Sequence, residues 1–119
     1  MDESILTSVK LALGITSDYT AFDNQLILYI NSALAVLAQT GVGEPGFTIS
    51  GDSSKWSDFL GEKMTVLEYS KTYVIMRVRM MFDPPQSSGA IDALKSMIAE
   101  YEWRGYVECD HDNIVNSNS

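Results

Sequence analysis

The sequence has little of what most catalytic and metal sites use. Its 119 residues include one cysteine, Cys109, and one histidine, His111. A single cysteine excludes a disulfide within the chain and any cysteine-rich zinc site. Cys109-Asp110-His111-Asp112 has metal-binding residue types, but structural sites draw their ligands from separated elements, so four adjacent residues do not predict one. We therefore expect no catalytic residue, no metal and no cofactor.

Basic residues and long apolar runs are also scarce. The chain has 8 Lys and Arg against 16 Asp and Glu, a formal net charge of -8. That balance argues against a surface that holds nucleic acid by its phosphates. No run approaches the ~20 apolar residues that span a bilayer, and Asp2-Glu3 has the wrong charge for a secretory signal. We expect synthesis in the cytoplasm and no membrane partner.

The most informative segment is residues 72–82, an apolar stretch that is followed at once by Asp83-Pro84-Pro85. As a helix it places apolar or aromatic side chains around nearly its whole circumference, so it must be covered on several sides. Arg77 and Arg79 interrupt it about 200° apart, at ~100° per residue. They cannot share one solvated face, so we expect at least one to meet an acidic group. A local pair of Arg79 with Asp83 is one alternative.

Hydrophobic periodicity predicts an all-α fold with four helices. They cover about residues 4–13, 20–40 and 62–82, and a fourth begins after Ser87 or Ser88. Thr20 and Asp23 have the spacing of a capping box, and Glu100 and Arg104 that of a favourable ion pair. The third helix should be the most enclosed.

Two segments fall outside these helices. Residues 42–61, between helices two and three, should be irregular or carry a short hairpin, with turn signals at Pro45-Gly46 and residues 50–53. The apolar residues expected to anchor the end of this loop to the core are Trp56, Phe59 and Leu60. Residues 107–119 are polar and should be disordered in isolation. We therefore divide the chain into a helical domain, 1–106, and a tail, 107–119, that partner contact orders.

Three segments together carry a resemblance. They are Trp-Ser-Asp-Phe-Leu at residues 56–60, the block from 71 to 88 with its Tyr-Val and Phe-Asp-Pro-Pro, and Glu-Tyr-Glu-Trp-Arg at 100–104. The segments at residues 5–14 and 23–31, in the first two predicted helices, also fit the same pattern. Together the matching segments cover roughly residues 4–105 in sequence order. The chain resembles the head–tail connector (adaptor, or head-completion) proteins of tailed bacteriophages, and departs from their pattern after Arg104.

The resemblance implies a four-helix connector-type bundle whose copies, twelve in number, form a ring beneath the portal protein. Such a ring extends the DNA channel and seats a downstream neck or tail-completion protein. The protein would be made in the host bacterial cytoplasm and reside in the virion neck, with no catalytic residue. DNA would pass through without sequence-specific binding, since an acidic channel repels phosphates.

Aromatic residues and arginine are enriched where proteins meet. The residues we expect to bind the portal or a neighbouring subunit are Arg77, Arg79, Trp103, Arg104, Tyr106, Val107, Ile114 and Val115. Trp103 has an alternative, which is packing against the loop anchored by Trp56. Two other classes remain open. A small helical DNA-binding packaging or regulatory factor would need a basic recognition helix, and a small all-α enzyme would need paired carboxylates in an apolar setting.

Overall fold

The computed structural model describes residues 3–117 and, for side chains, residues 3–104. Over these residues the chain forms five helices and a short 3₁₀ turn: α1 Ile5–Ala12, α2 Asp23–Gln39, α3 Trp56–Leu60, the 3₁₀ turn Met64–Val66, α4 Leu67–Phe82 and α5 Ser88–Ser117. The only strand-like pairing in this part of the chain is an isolated bridge between Ser4 and Lys55. The predicted all-α class is confirmed, with α3 as an additional helix.

Helix α4 is the centre of the fold and packs against α1, α2 and α5. Three of its 16 residues are exposed, namely Glu68, Arg79 and Met81, whereas six of the 17 residues of α2 are. Helix α4 is therefore more enclosed than α2, although the shorter α1 has the larger share of fully buried residues. It ends at Phe82, immediately before Asp83 and the two prolines, because Pro84 disfavours helical geometry at the residue that precedes it.

A buried ion pair joins α1 to the start of α2. Lys10 is 2% exposed, and its ammonium lies 2.8 Å from the Asp23 carboxylate and donates to the Ser17 carbonyl at 3.1 Å. The predicted capping box at Thr20 and Asp23 is wrong: α2 begins at Asp23 after Phe22, without a side-chain cap. The carboxylate pairs with Lys10 instead. Removing the Asp23 carboxylate would leave the buried Lys10 ammonium without its counter-charge, which is destabilising.

One asparagine side chain and one short helix fix the loop between α2 and α4 to the rest of the fold. The Asn31 amide donates to the Ile49 carbonyl at 3.1 Å and accepts from the Ile49 N–H at 2.8 Å, so it pairs with buried backbone as a neighbouring strand would. Of the two predicted alternatives the irregular loop is the one observed, and the Asn31 side chain pairs with the Ile49 backbone where a hairpin strand would. Its end folds into α3, and the three predicted anchors of the loop's end are all buried.

Candidate functional site

Helix α5 leaves an open surface on the molecule. Between residues 88 and 104 only Ile98 is buried, four residues are half-buried, and the other twelve are exposed. The half-buried side chains are Ile91, Leu94, Tyr101 and Glu102. A helix covered along one narrow stripe presents most of its circumference to solvent or to a partner. We call this surface, with the exposed side of α4 beside it, the α5 face.

Arg77 and Tyr73 both contact the Glu102 carboxylate on the α5 face. The Arg77 guanidinium lies 3.3 Å from Glu102 Oε2, and the Tyr73 hydroxyl donates to the same oxygen at 2.6 Å. Burial, and then the hydrogen bond to Glu102, raises the pKa of Tyr73 well above its ordinary value. The expectation that one arginine meets an acidic group is confirmed. Arg77 Nε is buried and has no acceptor among the described residues.

The other two predicted arginines differ in their surroundings. Arg79 is exposed and forms no ion pair within the described residues; Asp83 contacts it only through a backbone N–H donated to the Arg79 carbonyl. The predicted pair of Arg104 with Glu100 is present at 2.6 Å, and the guanidinium also lies 5.7 Å from the centre of the Tyr101 ring. Both members of that pair are more than half exposed, so it contributes little stability.

Trp103 and Trp56 have opposite environments. Trp56 is fully buried and its indole N–H donates to the Ser8 hydroxyl at 2.9 Å. Trp103 is 65% exposed on α5. Exposure of that extent favours the interface role over packing against the loop. The remaining candidates, Tyr106, Val107, Ile114 and Val115, lie outside the residues whose side chains are described.

Two open grooves run along the contact between α4 and α5. The larger, about 390 Å³, is lined by Thr65, Val66, Glu68, Tyr69, Thr72, Tyr101 and Arg104. The second, about 310 Å³, is lined by Arg77, Met80, Met81, Lys95, Ile98, Ala99 and Glu102. Each has a single carboxylate at its wall, so neither offers the paired acids that a carboxylate enzyme requires.

Metal-binding clusters and membrane-spanning helices are both absent from the described residues. No group of three His, Cys, Asp or Glu side chains is placed to hold a metal ion, and Cys109-Asp110-His111-Asp112 falls outside the side chains described. Among the helices of that part of the chain, none has the length and apolar character needed to cross a membrane.

The fold is that of a small helical protein with a largely exposed helix face. The family model described as phage connector protein matches residues 5–112, so the chain belongs to the phage connector protein family. No curated protein and no solved structure matches it. The family is structural, which makes the chain a virion-associated connector that assembles with other virion components.

Proposed function

We propose that this protein forms a homo-oligomeric ring beneath the portal protein, extends the DNA channel and joins the phage head to a downstream neck or tail-completion protein. The family match over residues 5–112 carries the proposal, because it makes the chain a connector. Twelve copies is the number that the family resemblance implies.

The surface of the chain supports this role. A ring needs two different contact surfaces on each subunit, since head-to-tail contacts close into a cycle whereas a self-complementary face gives a dimer. The α5 face supplies one surface, with its exposed Trp103, Arg79 and Arg104. The net charge of -8 suits a protein that lines a passage for DNA, because like charges keep the genome from adhering.

The C-terminal segment is proposed to dock on the portal or on a neighbouring subunit. The segment continues helix α5 as far as Ser117, and holding one backbone conformation costs roughly 1–2 kcal/mol per residue, which contacts with a partner would offset. Deleting residues 107–119 should weaken attachment to the portal and leave the helical content of residues 3–104 unchanged, as circular dichroism of the free protein would report. A deletion of residues 118–119 alone is the control. Full portal occupancy by the longer deletion would overturn the docking assignment.

A phage that carries a disrupted gene for this protein provides the direct test. We expect DNA-filled heads and completed tails that remain unjoined, visible by negative-stain electron microscopy, and rescue by the intact gene supplied in trans. Normal virions in its absence would refute the connector role. Heads without DNA, together with retardation of a labelled duplex at low salt by the purified protein, would favour the DNA-binding packaging factor instead.

A further inference from the structure

We propose that the groove lined by Arg77 and Lys95, the arginine groove, receives residues 44–47 of a second copy of this chain. Residues 44–47, Glu-Pro-Gly-Phe, are called the acidic turn. The inference rests on the ring proposed above and assigns the contact between adjacent subunits. It places the Glu44 carboxylate of one copy against the Arg77 guanidinium of the next.

The arginine groove has cationic donors that the described chain does not satisfy. A guanidinium has five N–H donors in a planar fork, and Arg77 uses one of them on Glu102 at the long distance of 3.3 Å. The Arg77 side chain is 27% exposed, so part of the guanidinium is open to an incoming group, and Lys95 adds an exposed positive charge at the same wall. A carboxylate is the group that such a fork binds in a bidentate manner. Met80 and Met81 provide apolar walls that adapt to an incoming segment.

The acidic turn is a rigid projection that carries such a carboxylate. Phe47 N–H donates to the Glu44 carbonyl at 3.2 Å, Pro45 takes the second position, and Gly46 has a φ of +77° at the third. These are the features of a type II turn. Glu44, Pro45 and Gly46 are all exposed, and Glu44 has no ion pair in the part of the chain that the structure describes.

The base of the turn is fixed to α3. Glu44 N–H donates to the Phe59 carbonyl at 2.9 Å, and the rings of Phe47 and Phe59 lie 5.4 Å apart. At Gly43, with a φ of +87°, an added Cβ would lie 2.3 Å from the Phe59 ring, so only glycine fits. A preformed segment loses little conformational entropy when it binds. Asp58 is a poorer candidate for the contact, since its carboxylate already accepts the Lys55 N–H at 2.8 Å.

The two elements belong to different parts of the fold. The acidic turn sits on α3 and on the loop that Asn31 ties to α2, whereas the arginine groove lies between α4 and α5. A projection and a recess at different places on one chain make a head-to-tail contact, which repeats from copy to copy and closes into a ring when the rotation permits.

Charge reversal of exposed residues tests the contact without disturbing the core. We would prepare Glu44→Lys, Lys95→Glu, the double variant and, as a charge-matched control on the same loop, Asp52→Lys. Assembly on purified portal protein would be followed by native mass spectrometry. Each single reversal should weaken self-assembly at least about tenfold, because like charges that face each other at an interface oppose association. The double variant should recover part of the loss, because the exchanged charges at positions 44 and 95 attract each other while Arg77 is unchanged, and Asp52→Lys should match the unaltered protein.

The outcomes separate this contact from the ring itself. If the unaltered protein does not gather in multiple copies on the portal, the ring proposal fails. If it does so and the single reversals assemble equally well, the ring stands and the assigned contact is wrong. Weakening by both single reversals without recovery in the double variant would also overturn the pairing of the acidic turn with the arginine groove.

Discussion

Replacement of Asn31 by alanine should loosen the loop that carries the acidic turn. Asn31 is the side chain that satisfies both the N–H and the carbonyl of Ile49, at 2.8 and 3.1 Å, and Ile49 is 3% exposed. Alanine removes the two partners and leaves both backbone groups unpaired near the core. The substitution therefore tests whether one side chain fixes the position of the loop between α2 and α3.

The expected loss follows from the two hydrogen bonds. A buried polar group that loses its partner costs about 1–3 kcal/mol, and alanine returns about 0.5 kcal/mol of helix propensity. Since the site is only partly buried and water can reach it, we expect a net loss of about 2–3 kcal/mol in the free energy of unfolding. For a domain of this size that loss lowers the midpoint of thermal unfolding by about 10 °C.

Urea denaturation and amide hydrogen exchange would measure the effect. The Ile49 amide should exchange much faster in Asn31→Ala, while amides of α4 change only as far as global stability does. Asn31→Asp should also be destabilised, because a carboxylate facing the Ile49 carbonyl cannot donate to it. Asn24→Ala, at an exposed position of the same helix, is the control and should change stability by less than about 0.5 kcal/mol. Equal stability of Asn31→Ala and Asn24→Ala would refute the argument.

Three further predictions concern individual residues. Trp56→Leu should lower the free energy of unfolding by about 2–4 kcal/mol, through a cavity and the loss of the hydrogen bond that the Ser8 hydroxyl accepts, whereas Trp103→Leu should change it by less than about 0.5 kcal/mol; similar losses in urea denaturation would contradict the burial of Trp56. Gly43→Ala should lower the free energy of unfolding more than Gly46→Ala, because both glycines have positive φ but only Gly43 lies against the Phe59 side chain. The reverse order in the same assay would show that the Phe59 side chain moves aside to accept the added methyl group. Because the pKa of Tyr73 is raised in the folded state, its stabilising contribution is complete below the unfolded value of about 10 and is lost as pH rises above it; Tyr73→Phe should therefore lose less stability than the unaltered protein between about pH 9 and 11, and parallel losses would contradict this.

Local patterns in the sequence predict the parts of the fold that local forces determine. The end of α4 before Pro84 and the Glu100–Arg104 pair depend on neighbouring residues alone, and both are present. The start of α2 does not follow the Thr20–Asp23 spacing, because Asp23 pairs with Lys10 on another helix. Contacts between residues distant in the chain cannot be read from such a spacing.

Helix α3 and the partner of Arg77 illustrate the same limit. Five residues are too few for a stable isolated helix, so α3 depends on the burial of Trp56 and Phe59 against the rest of the fold. The sequence indicates that Arg77 needs an acidic group but does not identify Glu102, which is 25 residues away. The arginine groove is assembled from two helices, and no single segment shows it.

Counting the copies of this chain bound to a portal tests the central claim most directly. Native mass spectrometry of complexes purified with tagged portal protein gives that number without any assumption about the contact surfaces. We expect a closed ring of twelve copies, with no species that retains only one or two at saturation. Complexes that hold one or two copies of the chain at saturating concentration would contradict it.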